Sequence, residues 1–273
     1  MPGRIALAAV WSLSLAVEAR SQESTPLPEG NAYVRSVIGG ARPQDAAIND
    51  YSYDIEEIKE DLDKTGRATS RETRRLEVYF VKTRPVRRLV ARNGVPLGKK
   101  EQAEVDRKAE SQAQAIAAGR TVSEQAGIRL AALLDSFEFT AVARESREGR
   151  PTLVFAFEPR KPAKGKAPAG RTEAVTRILS GRLHIDEADR RVARLEARTA
   201  AGQNAGVATG VKLQAFELLM EFKSVEDGVW LPHRVVTVAS GRAFLFKTFR
   251  VRQTTAYSKF RKFKVETEER VPR

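Results

Sequence analysis

The stretch 210–263 shows the clearest alternation of apolar and polar positions in the chain. Its apolar positions of period two are Phe216, Leu218, Met220 and Phe222, and Glu217, Glu221 and Lys223 alternate with them. This pattern is typical of a half-buried antiparallel strand. A turn at 226–228 precedes a second strand that opens at Trp230, and 244–251 and 257–265 predict two more. The region therefore predicts a large sheet with one apolar face.

The preceding part of the chain predicts further hairpins, interrupted by helices. Strands are expected at 49–63, 76–80, 86–91, 137–145, 152–158, 181–186 and 192–197. Helices are expected at 33–39, 99–118 and 123–135. The segment 99–118 is rich in helix-forming residues but has a thin apolar stripe, so it should lie on a surface and bury little. This order of elements predicts an α+β domain.

The N-terminus predicts a secretory signal peptide. Arg4 precedes the apolar run 5–17, and small residues around Ala19 offer a cleavage site. A buried N-terminal helix is the alternative interpretation. We expect a signal peptide at 1–19, a leader with a short helix at 20–48 and a single domain at 49–273. The mature protein should then be periplasmic or secreted, without a lipid anchor because no cysteine follows the run.

The residue types present argue against an enzyme. The chain has no cysteine, which excludes disulfides, thiol catalysis and cysteine-bound zinc. Its two histidines, His184 and His233, lack a metal-binding spacing and are expected at the surface or the rim. Asp186, Glu187 and Asp189 predict a solvated turn in preference to a calcium site. No nucleophile, phosphate-binding or dinucleotide motif occurs, so we expect neither catalysis nor a cofactor.

The chain is strongly basic, with a formal net charge of +13. Basic residues cluster at 84–92, at 259–264 and in the Pro- and Gly-containing loop 159–171, which carries Lys161, Lys164 and Lys166. Because export is predicted, nucleic acid is not expected as a partner. Lipid headgroups or anionic polymers of the cell envelope are the anions that such a surface would meet. A basic surface without a specific partner remains equally open.

Three segments carry a resemblance to a known family. They are Asn-Gly-Val-Pro-Leu at 93–97, Ser-Gly-Arg-Leu-His-Ile-Asp-Glu at 180–187 and Asp-Gly-Val-Trp-Leu-Pro at 227–232. Their order along 51–263 resembles exported proteins related to the outer-membrane lipoprotein-sorting carriers (LolA/LolB-like). The resemblance implies an incomplete antiparallel β-barrel, a curved sheet with a few helices packed against its concave side. It also implies an apolar cavity for acyl chains.

Two functional hypotheses follow from these observations. In the first, the protein is a periplasmic carrier or binding protein for a lipid or an acylated protein. Its ligand would contact Phe216, Leu218, Met220, Phe222 and Trp230, with Lys161, Lys164 and Lys166 at a basic rim. In the second, the apolar face is a filled core, and the protein is a basic interaction protein that binds envelope polyanions. A hydrolase is the less favoured third possibility.

Overall fold

The computed structural model describes residues 25–39, 44–120, 130, 134–160, 171–200, 205–207, 211–225, 228–243 and 247–263. The helices are α1 (Gly30–Ile38), α2 (Lys99–Ala117) and α3 (Arg171–Thr176), with a 3₁₀ helix at Gln44–Asp50. The strands are β1 (Tyr51–Leu62), β2 (Ala68–Val81), β3 (Arg84–Arg92), β4 (Val95–Pro96), β5 (Phe137–Arg147), β6 (Arg150–Pro159), β7 (Leu179–Asp186), β8 (Arg191–Thr199), β9 (Ala205–Val207), β10 (Val211–Ser224), β11 (Trp230–Ala243) and β12 (Lys247–Lys262).

The described strands form one open antiparallel sheet. Eleven of them follow the order β4-β3-β2-β1-β12-β11-β10-β8-β7-β6-β5, and β9 pairs with β10 beside this path. Each pair of neighbouring strands is antiparallel, and the end strands β4 and β5 do not pair with each other. The α+β fold with an incomplete, unclosed antiparallel sheet is therefore confirmed.

The helices agree with two of the predicted segments. The segments 33–39 and 99–118 correspond to α1 and α2. The segment 123–135 lies mostly outside the described residues, but Leu130 and Leu134 are helical and buried. The helix α3 was not predicted, because it has only six residues and begins where the basic loop 159–171 ends.

The end of the sheet differs from its prediction in the number of strands. The segments 244–251 and 257–265 were predicted as separate strands, whereas β12 is a single 16-residue strand that pairs with both β1 and β11. Gly241 lies inside β11. A Cβ atom there would come within 2.2 Å of the carbonyl oxygen of Lys212, so this glycine permits close strand approach.

The main core lies on one face of the sheet, which we call the core face and define by Leu218, Met220 and Phe222. Side chains of β5, β6, β7, β8 and β10 pack there against Val34 and Val37 of α1. A second cluster around Tyr53 and Ile55 lies on the same face. Thr255 of β12 pairs with Val235 of β11, which packs on the main core, and with Glu57 of β1. Because paired residues point to the same side, Glu57 and the alternate residues Ile55 and Tyr53 point to the core face.

The opposite face, defined by Glu217, Leu219 and Glu221, is called the groove face. The helix α2 packs on this face, against Val86 and the partly buried Tyr79 and Val81, which alternate with core-face residues of β2. Only Ala109 and Ile116 of α2 are buried, as its thin apolar stripe predicted. The two sides of the sheet therefore carry different helices.

Candidate functional site

The predicted ligand set lies at the main core. Leu218, Met220, Phe222 and Trp230 are each more than nine-tenths buried, and Phe216 is partly buried against the same cluster. They share this core cluster with side chains of α1 and with Leu130 and Leu134. The structure thus brings the set together inside a packed core. Room for an acyl chain there would require these side chains to move apart.

Polar and aromatic contacts attach α1 to the sheet. Oδ1 of Asn31 accepts a hydrogen bond of 2.9 Å from the backbone N–H of Phe139. Tyr33 stacks on Phe155 at 5.6 Å between ring centroids, and the Arg190 guanidinium lies 5.1 Å from the Tyr33 ring centroid. These contacts add to the burial of the α1 side chains, so the helix is an integral part of this face.

A groove of about 790 Å³ lies on the groove face and crosses strands β6 to β11. The residues of its first row are paired strand to strand: Ala156, Arg182, Glu196, Leu219 and Val236. A second paired row consists of Ser180, Arg198, Glu217 and Val238. The groove volume falls in the range of small-molecule sites, about 300–1,000 Å³.

Along both rows the groove changes from mostly charged side chains on β7 and β8 to mostly apolar ones on β10 and β11. Leu219, Val236 and Val238 form the apolar part, and Glu217 of β10 lies beside it. Arg182 and Arg198 lie in the charged part on β7 and β8, and neither makes an ion pair with another described residue. An elongated ligand with a polar head and an apolar chain fits this division.

Another charged side chain of the groove is already engaged. Arg194 pairs with Glu196 and, at 2.7 Å, with Oε1 of Glu221. Glu217 of β10 and Glu158 of β6 also line the groove, so the groove carries charges of both signs. This mixture suits a head that offers an anionic group together with hydrogen-bond donors.

The alternation in β10 contained a signal for the groove that the sequence reading missed. Leu219 is an apolar residue at a polar position, between Glu217 and Glu221. Val236 and Val238 repeat this on the neighbouring strand. An apolar residue on the charged face of a strand indicates such a groove, since its side chain points away from the core.

Trp230 belongs to a network around the turn 186–190. Arg150 makes a bidentate contact with Asp186, at 2.5 and 2.9 Å, and a third bond of 2.6 Å to Asp189. The indole N–H of Trp230 donates to the same Asp189 at 2.9 Å. Beside it, Glu187 pairs with Arg144. The turn predicted to be solvated is therefore tied to arginines, and its Asp186 is buried.

Asp186 should control acid stability through Arg150. The guanidinium holds the pKa of Asp186 below its ordinary 3.8, so the carboxylate contributes stability above that value that is lost as pH falls through the folded-state pKa. In Arg150→Gln the buried carboxylate lacks its partner and its pKa rises. We expect this variant to lose stability at a higher pH than the parent. Urea unfolding from pH 3 to 7 measures the difference.

The control for this experiment is Arg144→Gln, which removes the same charge beside the same turn. Its partner Glu187 is about one-third exposed and can be solvated when the arginine is lost. The stability of Arg144→Gln should therefore change with pH as that of the parent does. Identical profiles for both variants would show that Arg150 does not act through Asp186.

His184 is buried on the groove face, although a surface histidine was expected. Its Nδ1 atom lies 3.0 Å from Oε1 of Glu145, but neither ring nitrogen makes a well-oriented hydrogen bond. Burial lowers the pKa of His184, while Glu145 and Glu196 act in the opposite direction. The ring is therefore neutral at pH 7, held inside a charged face without a second histidine beside it.

In the part of the chain that the structure describes, basic residues of two of the three clusters pair with carboxylates. Arg87 pairs with Glu57, and Arg92 pairs with Glu101. Arg88 pairs with both Glu77 and Asp106. Lys259 and Arg261 pair with Asp54. Acidic residues of β1, a strand inside the sheet between β2 and β12, supply several of these partners. Lys161, Lys164 and Lys166 lie outside the described residues.

Comparison with known proteins gives structural similarities only. The sequence matches no protein-family model and no curated protein. One similar structure is described as an outer membrane lipoprotein-sorting protein domain from Vibrio parahaemolyticus. It is 14% identical, with 88% of this chain and 94% of that chain covered and a TM-score of 0.40. A LolA superfamily protein from Nitrosomonas europaea is 8% identical, with coverage of 88% and 96% and a TM-score of 0.37.

A third similar structure is a DUF1329 family protein from Desulfovibrio piger. It is 9% identical, with 85% of this chain and 92% of that chain covered and a TM-score of 0.34. All three structures are similar to this chain at low sequence identity, with TM-scores of 0.40 or below. Within the described residues, no helix has the length and apolar character needed to span a membrane.

Proposed function

We propose that this protein is a non-catalytic, exported binding protein for an amphipathic ligand, a lipid or an acylated molecule, and that the ligand lies in the groove. The observation that carries the proposal is the division of the groove into an apolar part and a charged part. Its apolar part would cover the chain, because each methylene removed from water contributes about 0.8 kcal/mol. Arg182 and Arg198 would contact the head.

The core-face set remains a second prediction for the same ligand class. Binding there requires the packed side chains of Leu218, Met220, Phe222 and Trp230, each more than nine-tenths buried, to make room for the ligand. Binding in the groove requires less rearrangement, because the groove is already open. The two predictions differ in which residue of β10 affects affinity, and this makes them separable.

The test is displacement of a dansyl-labelled fatty acid by lysophosphatidylethanolamine. Leu219→Glu places a carboxylate in the apolar part and should weaken probe binding by about tenfold or more, the cost of losing a few methylene contacts. Val95→Glu is the matched control, since Val95 is an apolar strand residue that is 65% exposed. It should bind the probe like the parent.

Three other results would contradict parts of the proposal. Unchanged affinity in Leu219→Glu would remove the groove as the site. Weaker binding in a folded Leu218→Ala protein, with Leu219→Glu unchanged, would favour the core face. Absence of probe binding in the parent, together with no lipid in native mass spectrometry, would reject the ligand class and favour the basic interaction protein.

A further inference from the structure

One group of basic residues on the groove face lacks carboxylate partners. Lys212 and Arg242 are directly paired on β10 and β11, and Arg250 on β12 pairs with Ser240, two residues before Arg242. All three side chains are exposed. None makes an ion pair with another described residue, in contrast to Arg74, Arg87 and Arg92 of β2 and β3. We call these three residues the hairpin-end cluster.

The sequence explains why this cluster is not neutralised. The stretch 228–265 contains no Asp or Glu, yet it contains Arg242 and Arg250 among its basic residues. On β10, Glu217 lies opposite Arg198, in the row that belongs to the groove. Glu221, the other carboxylate of β10, pairs with Arg147 and Arg194, and β11 and β12 carry no carboxylate within their bounds.

The geometry of the cluster has a cost in stability. Directly opposed residues on antiparallel strands have Cβ atoms about 5 Å apart, and like charges in that position are destabilising. Elsewhere in the sheet, Arg74 also lies opposite Arg92, but Glu72 and Glu101 pair with them. An external anion would take the place of those carboxylates at Lys212, Arg242 and Arg250.

The cluster is continuous with the groove. Val238 of the groove and Ser240 lie on the same face of β11, and Arg250 is the direct partner of Ser240. A cationic surface thus borders the apolar part of the groove. A bilayer with anionic headgroups matches both features, because its headgroups would contact the cluster while a lipid chain lies beside them.

We propose that the hairpin-end cluster docks the protein on an anionic membrane surface. This role goes beyond ligand binding in the groove and does not require it. Each basic residue near an anionic leaflet strengthens membrane partition by about fivefold. Loss of all three should therefore weaken partition by about a hundredfold at low salt. The effect should shrink as added salt shortens the screening length.

The experiment compares two triple variants in vesicle sedimentation. The first carries Lys212→Gln, Arg242→Gln and Arg250→Gln. The matched control carries Arg74→Gln, Arg87→Gln and Arg92→Gln, which are ion-paired arginines on β2 and β3. Both lower the net charge of +13 by three. Vesicles of phosphatidylcholine with and without phosphatidylglycerol are the probes.

We expect the parent and the control to bind phosphatidylglycerol vesicles, and the cluster variant to lose that binding. Equal losses in both variants would overturn the proposal, because net charge alone would then explain the interaction. Binding of the parent to heparin but not to vesicles would also overturn it and identify a polymer as the partner. Probe displacement from the groove should be unchanged in the cluster variant, so failure here is distinct from failure of the proposed ligand site.

Folding of the cluster variant is checked by thermal unfolding. It should be at least as stable as the parent, since the repulsion between like charges has been removed. If the triple variant fails to fold, Arg242→Gln alone retains the test with an expected loss of about fivefold in partition. A folded single variant with undiminished binding would contradict the proposal.

Discussion

Leu218→Ala should lower the free energy of unfolding by about 2–5 kcal/mol, whereas Leu219→Ala should change it by less than about 1 kcal/mol. The two residues are adjacent on β10 but point to opposite faces. Leu218 is 3% exposed in the main core, and its truncation leaves a cavity. Leu219 is only partly buried and lines the open groove, where solvent fills the space. Urea unfolding of both variants measures the difference.

The same pair separates stability from ligand binding. In the groove proposal, Leu219→Ala weakens binding of the dansyl-labelled fatty acid, and Leu218→Ala affects it only through partial unfolding. Equal destabilisation by the two substitutions would contradict the assignment of faces on β10. That outcome would also remove the argument that the groove is formed by the side of the strand opposite the core.

Alternation predicted much of this sheet because it is a local property. It placed Leu218, Met220 and Phe222 together on an apolar face, and these three residues are buried in one cluster. It also anticipated the strand around Tyr51 and Ile55. Such predictions need only the period of two within one strand, which tertiary contacts reinforce without changing.

Register could not be predicted, and the groove and the hairpin-end cluster depend on it. Lys212 and Arg250 are 38 residues apart in sequence, and only the pairing of β10, β11 and β12 brings them to one surface. The reverse applies to Arg87 and Arg92, which looked like an anion-binding cluster in the sequence. Their carboxylate partners come from β1 and α2, elements that the sequence did not place beside them.

Gly181 is the backbone position on which the charged part of the groove depends. A Cβ atom added there would lie 1.8 Å from the carbonyl oxygen of Glu196 and 2.9 Å from Cα of Ala197. Both contacts are with backbone, so no side-chain rotation can relieve them. The strands β7 and β8 would have to separate where Gly181 pairs with Ala197. This is the close approach that explains a glycine inside a strand.

Gly181→Ala should therefore destabilise the protein by about 3 kcal/mol or more, at the upper end of overpacking substitutions. Because Arg182 and Glu196 are paired beside it, separation of the strands should also weaken probe binding in the groove. Gly98→Ala is the control: Gly98 has φ −65°, and its added Cβ would meet no atom within 4 Å. That variant should remain within about 0.5 kcal/mol of the parent. If Gly181→Ala were as stable as Gly98→Ala, β7 and β8 could not approach as closely as described, and the paired row that carries Arg182 would lose its structural basis.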